Sequence, residues 1–305
     1  MRCFVSADLF SALVAGLFGA LIGSFLNVCI SRLPAGLSVV RPRSRCPKCE
    51  TPIAWYDNLP VLSWLVLRGR CRSCRASISL MYPLVELAVA LMWAWMGWRH
   101  GVTIEALRWA LFGTLLIGIA MTDALEFIIP HEFSFGGMVL AFVAAVGGGL
   151  GAVLGAVDGA IFGAGLVYLI GMAGEFAFKK EAMGGGDVAM MGMVGAFLGW
   201  QSVLATIFFG SVVGIVLHVV TLVVRRSDGR TVGRSDQARP TENRPSDHLT
   251  AGPPTASEMT PDQLHASGYL PFGVSLAIAA GAIAFLLGPD RVVAWFAWYA
   301  GLIGV

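Results

Sequence analysis

Charge is scarce in this chain: 13% of its 305 residues are Asp, Glu, Lys or Arg, about half the share of a soluble domain, and the net charge is +2. So few charges exclude a freely solvated globular protein. Nucleic acid is not an expected partner, and the net charge by itself says little, because in a membrane protein the placement of Lys and Arg matters more than their sum. A glycine-rich fingerprint of the Rossmann type is missing from the polar segment between the first two apolar runs, and the chain shows no convincing internal repeat. The apolar N-terminal stretch lacks the small-residue cleavage site of a removed signal peptide, so it reads as a retained span. Cysteine is sparse, six residues in all, yet four of the six stand in two close pairs.

What is abundant is apolar sequence: 56% of residues are hydrophobic and the mean hydropathy is +0.74. Crossing a hydrocarbon layer of about 30 Å takes about 20 helical residues. Such segments lie near 7–30, 80–97, 104–122, 133–150, 154–178, 202–224 and 270–288, and a shorter one at 188–199 makes eight. The expected fold is an all-α polytopic membrane protein. Between the first two spans stand Arg32, Arg41, Arg43, Arg45, Lys48, Arg68, Arg70, Arg72 and Arg75. By the positive-inside tendency this insert is cytoplasmic and the N-terminus outside. Eight spans then put Asp123, Lys179, Lys180 and the chain from Arg225 onward on the cytoplasmic side, with 98–103, 151–153 and 200–201 outside; only Arg99 runs against the pattern. The chain divides into a first span (1–32), a small cytoplasmic module (33–79), a six-helix membrane block (80–224), a polar linker expected to be disordered (225–267), and a last span with a Trp- and Tyr-rich interfacial tail (268–305).

The insert holds Cys46-Pro-Lys-Cys49 and Cys71-Arg-Ser-Cys74, two C-x2-C pairs separated by 21 residues. Each pair can wrap two thiolates around a tetrahedral ion, and two such knuckles supply the four sulfurs of a closed structural Zn2+ site. Arg45, Lys48, Arg72 and Arg75 are placed to offset its negative charge. Two disulfides, a redox pair and an iron–sulfur centre are the other uses of four cysteines. A cytoplasmic location argues against stable disulfides, duplication argues against a single redox motif, and the two-knuckle spacing favours zinc over iron–sulfur. Cys3 and Cys29, beside or within the first span, read as packing residues.

Two carboxylates stand where the chain borders hydrocarbon: Asp123 in AMTDALEFIIPHE and Asp187 in EAMGGGDVAMM. Acids so placed mark function by default. If helices bring the two together, they share a proton and can hydrolyse a peptide bond, one activating water and the other protonating the carbonyl oxygen, with no Ser or Cys nucleophile. Gly184, Gly185 and Gly186 would let a substrate backbone approach closely. The plainer account of Asp187 is a helix N-cap; a different use of both aspartates is a proton relay in a transporter or channel. Glu86, inside the second span, either binds a substrate or polar partner or satisfies an internal hydrogen bond. His131 is a rival acid or base if it faces Asp123, and Asn27 and Arg32 are candidates for tying the first span to the insert.

Taken together, GGGD at 184–187, D-x6-P at 123–130, GSFLNVCISRLP at 23–34, SRCPKC with the second C-x2-C, SISLMYPLVELAVALMW at 77–93 and LPFGVSLAIAA at 270–280 make the chain resemble the bacterial type IV prepilin peptidases, membrane aspartic proteases of the GxGD type. The resemblance covers nearly the whole chain. It departs from the family at His131 and Glu132 after Ile-Pro, where an Asp is frequent, and in the length of the 225–267 linker. It implies cleavage of the basic leader from type IV prepilins or type II secretion pseudopilins on the cytoplasmic side of the inner membrane, then N-methylation of the new terminal residue with S-adenosylmethionine. By motif, Asp123 and Asp187 are the implied catalytic pair and Cys46, Cys49, Cys71 and Cys74 the implied zinc ligands; no residue for the methyl donor is indicated.

Overall fold

A computed structural model describes residues 2–179, 183–227 and 272–302. The described residues form helices and connecting turns, with two isolated β-bridges and no strand. α1 (Arg2–Arg32) leads into the cysteine module, which contains a short 3-10 turn (Trp55–Asn58) and α2 (Leu62–Val66). Then follow α3 (Met81–His100), α4 (Ile104–Glu126), α5 (His131–Val146), α6 (Gly149–Phe178), α7 (Gly185–Leu198), α8 (Trp200–Ser227), α9 (Phe272–Ala282) with a π-helical extension (Ile283–Leu287), and α10 (Pro289–Leu302). The expected 225–267 linker lies outside the described residues from residue 228 on, α8 running three residues past its expected end.

Each expected span has its helix. Four are long and apolar enough to cross a membrane by length and composition: Asp8–Arg32, Ile104–Glu126, Gly149–Ala177 and Trp200–Val223. α3 has 20 residues, about 30 Å, with Trp93, Trp95 and Trp98 lowering its hydropathy. Three more apolar helices are shorter: His131–Val146, Gly185–Leu198 and Phe272–Leu287. The turn expected at 151–153 falls instead at Gly147 and Gly148, because Gly149 takes the positive φ of 79° and starts α6 there.

Local sequence explains where the helices stop. α4 is capped before its first residue by Thr103, whose hydroxyl accepts the Ala106 N–H at 3.1 Å, and is closed by the left-handed Phe127, three residues before Pro130. Gly199, at φ +81°, breaks α7 from α8. α7 is short because it is the central helix and has no lipid face: Ala189 to Leu198 are all buried, and Met190, Met191, Met193 and Val194 have no exposed surface.

The helices approach through small residues. A Cβ at Gly159 or Gly195 would overlap the other residue's carbonyl oxygen, and one at Gly163 would overlap that of Met191, so α6 and α7 meet backbone to backbone. On the other side α1 lies along α3, with Gly19 on Trp93 and Gly23 on Glu86. Trp93 donates from its indole to the buried hydroxyl of Thr114 at 2.9 Å, joining α3 to α4.

Because successive membrane helices reverse direction over short connections, the C-terminal ends of α4 and α6 and the N-terminal ends of α5 and α7 lie at the module end of the bundle. α9 packs on α4 and α8 and starts at that same end. Gly195→Val is expected to push α6 from α7 at a cost of about 1–3 kcal/mol, read as a lower unfolding midpoint in detergent; Gly151→Ala, at a position open to space, should leave the midpoint within about 0.5 kcal/mol of wild type.

Candidate active site and metal centre

Asp123 sits in the last turn of α4 and is 6% exposed. The end of a helix with its C-terminal dipole is a poor place for an anion. The compensation comes from another helix: Oδ2 accepts the backbone N–H of Val274 at 2.8 Å, an N–H in the first turn of α9. A Cβ at Gly273 would lie 2.6 Å from that oxygen, so glycine is what lets the carboxylate reach the helix end.

Asp187 is the third residue of α7. It is not the N-cap; that position belongs to Gly184, whose carbonyl accepts the Asp187 N–H at 3.1 Å. Its Oδ1 is buried without a hydrogen-bond partner. Ile129 stands between the two segments. Its Cβ is 2.8 Å from where a Cβ would be at Gly186, and its Cδ1 is 2.7 Å from where one would be at Gly273. The turn from Phe127 to Pro130 thus sets the Asp187-bearing segment and α9, whose first turn holds Asp123, against one side chain.

The three glycines divide their labour. Gly186 makes room for Ile129, while Gly184 and Gly185 are exposed, with open space where a side chain at Gly185 would stand. His131 is exposed, its ring centroid 5.6 Å from that of Phe135. Ile129, Gly273 and Val274 were not singled out as site residues from sequence. The one sequence cue for the last two was the Phe-Gly-Val opening of an apolar run, which reads equally as a plain helix start.

Glu86 is also buried, but it serves the module: its Oε2 accepts the N–H of Val61 at 2.8 Å, and Val61 holds a φ of 60° rare for a β-branched residue. Arg32 donates to the Ser38 carbonyl at 2.9 Å, tying α1 to the module, whereas Asn27 donates to the Tyr82 carbonyl at 3.0 Å, tying α1 to α3.

Within the module, Cys46, Cys49, Cys71 and Cys74 place their sulfurs within 4.8 Å of one another. Two of the Sγ–Sγ separations are 3.8 and 4.0 Å, and a tetrahedron with metal–sulfur bonds of ~2.3 Å has edges of about 3.8 Å. The cluster could hold a metal ion. Its two halves repeat one geometry: Cys46 takes N–H donation from Glu50 and donates to Thr51, as Cys71 takes it from Arg75 and donates to Ala76, with Glu50 and Arg75 both left-handed. Hydrogen bonding with Thr51 pulls the Cys49 thiol down to about 6, and backbone N–H groups of Cys74 and Ser73 lower Cys71. Arg72 grips Asp57 with two nitrogens, at 2.7 and 2.5 Å, holding that carboxyl below the usual carboxylate range and fixing the second knuckle to the 3-10 turn.

Comparison with known proteins agrees with this two-part anatomy. Residues 17–100 match the bacterial peptidase A24 N-terminal domain and residues 110–219 the type IV leader peptidase family. The chain is 39% identical over 220 residues to the prepilin leader peptidase/N-methyltransferase of Myxococcus xanthus (strain DK1622), covering 72% of this chain and 66% of that protein. It is 34% identical to the like-named proteins of Stutzerimonas stutzeri, over 72% of this chain and 84% of that one, and Pseudomonas aeruginosa, over 70% and 82%. The chain belongs to the type IV leader peptidase family. In this family member both aspartates fall inside the leader-peptidase match and all four clustered cysteines inside the N-terminal match. No solved structure matches the chain significantly.

Glu86→Ala is expected to leave the Val61 N–H without its acceptor, at a cost of about 1–3 kcal/mol, and to loosen the module. Limited proteolysis should then cut within residues 33–79 faster than in wild type, while Glu86→Gln, which keeps an acceptor oxygen, should stay close to wild type.

Proposed function

We propose that this chain is a membrane aspartic endopeptidase, multi-pass in the bacterial inner membrane. It removes the leader peptide from type IV prepilins or type II secretion pseudopilins on the cytoplasmic side and then N-methylates the new N-terminal residue with S-adenosylmethionine. Asp123 and Asp187 are its catalytic pair. The observation that carries this reading is that Ile129 lies against both Gly186, the neighbour of Asp187, and Gly273, which abuts the buried Asp123 carboxylate, while one Asp187 oxygen is left without a protein partner. That oxygen is a place for the attacking water. One carboxyl takes the water's proton as it adds to the scissile carbonyl; the other gives a proton to the carbonyl oxygen and later to the leaving amine. Gly184 and Gly185, exposed and without side chains, leave room for an extended substrate backbone beside Asp187.

The substrate's own physics supports the assignment. A prepilin is a membrane helix with a basic leader, so its scissile bond lies at the depth of the aspartates, and the acidic centre attracts the leader. The basic residues of the module support a cytoplasmic orientation of that end. Zn2+ is the ion proposed for Cys46, Cys49, Cys71 and Cys74, as a structural centre closed by four protein ligands.

Asp123→Asn and Asp187→Asn should each lower cleavage of a purified prepilin by about 10²–10⁴-fold without lowering the unfolding midpoint; cleavage at the wild-type rate would remove the catalytic pair, and proton flux in liposomes without proteolysis would favour a transporter. For the metal, elemental analysis of the purified protein should give about one Zn2+ per chain, lost in Cys71→Ser together with the protease resistance of the module.

A further inference from the structure

A second concavity, apart from the aspartates, lies between the cysteine module and the module ends of α1 and α3. Its volume is about 760 Å3, within the range of sites for small molecules and cofactors. α1 turns Ser24, Asn27 and Ser31 toward it, three polar residues at helical spacing on a helix otherwise apolar enough to span a membrane. Polar side chains on such a helix are costly unless they line a polar space. Glu86 lines the cavity from α3, and Trp64, Tyr56 and Arg72 line it from the module. Asn27 is 4% exposed; its Nδ2 is used by the Tyr82 carbonyl, but its Oδ1 is buried with no partner. A buried acceptor left unpaired costs about 1–3 kcal/mol, which a bound molecule carrying N–H or O–H groups would recover.

We propose that this cavity is the binding site of S-adenosylmethionine. The inference rests on the N-methylation in the function proposed above. The lining fits that molecule group by group. Asn27 Oδ1 and the Glu86 carboxylate are acceptors for its amine, ribose and adenine donors and suit its cationic sulfonium. Arg72 has N–H groups beyond those used by Asp57 and suits its carboxylate, and Trp64 and Tyr56 supply aromatic faces for adenine. The lining also carries Arg32, Arg45, Lys48 and Arg72 against Asp57 and Glu86, so ATP is the competitor that tests the assignment. Every lining residue falls within the N-terminal match, at 17–100, and neither aspartate does. The two sites are nevertheless neighbours. Leu26, next to Asn27, packs on α4 at Gly118, five residues or about 7.5 Å along that helix from Asp123. After cleavage the mature chain's free amine attacks the methyl carbon: an N–C bond forms, the C–S bond breaks with its electron pair left on sulfur, and the nitrogen loses one proton to water.

The test is equilibrium dialysis of the full-length protein in detergent against labelled S-adenosylmethionine, followed by ultraviolet cross-linking and peptide mapping. Saturable binding that ATP does not displace, with label between residues 24 and 86, is expected. Asn27→Leu should weaken it about tenfold, the loss of roughly one hydrogen bond. Ser31→Phe, at an exposed rim position where a bulky group is tolerated by the fold, should block it. Asp123→Asn should bind as wild type does, so the catalytic assignment and this one can fail separately. Absence of saturable binding, label outside 24–86, displacement by ATP, or undiminished binding in both cavity variants would overturn the proposal.

Discussion

The contact on which the architecture of the site depends is the one between the Asp123 carboxylate and the Val274 N–H. An acid at the C-terminal end of a helix, bordering hydrocarbon, opposes both the helix dipole and the low dielectric. The free N–H groups of a second helix answer both at once, and they arrive from a segment 151 positions away in sequence. The position of α9 between α4 and α8 is therefore part of the chemistry as well as of the packing. Gly273 makes the approach possible, since a side chain there would occupy the space of the carboxylate.

Around this contact the bundle is assembled from backbones held close by glycine. Membrane helices gain little from the hydrophobic effect on meeting one another, so close approach and dispersion must hold them. The α6–α7 interface illustrates the principle at Gly159, Gly163 and Gly195. Its consequence is that α7, the helix bearing Asp187, is fixed on all sides and presents its first turn at a constant place. The carboxyl pair proposed to act on one water molecule needs that constancy more than it needs a strong individual interaction.

The N-terminal half has a different logic. α1 and α3 form a pair whose module end is capped by the cysteine cluster, and the link between membrane and module is polar: Glu86 to Val61, and Arg32 to Ser38. Four thiols and an Arg72–Asp57 pair give a segment with few buried apolar residues its shape. Because that shape rests on polar and metal-competent groups, it can enclose a polar cavity at the edge of a membrane, which a purely apolar fold could not line.

Much of this was legible without coordinates. The eight apolar segments, the paired C-x2-C knuckles and the two misplaced acids each carry their meaning locally, through run length, spacing and charge. Sequence alone determined that this is a helical membrane protein with a four-cysteine module and two candidate acids. It left open whether Asp187 was merely a cap, what Glu86 bonded, and which of the three glycines served packing. Those questions turned on contacts between segments far apart in the chain: Ile129 wedged between Gly186 and Gly273, Val274 on Asp123, Val61 on Glu86. A hydrophobic run records that a helix will be buried but not against which neighbour, since Leu, Ile and Val look alike to every partner. Only the packed bundle decided which helix end would face the acid, and with it where the site stands.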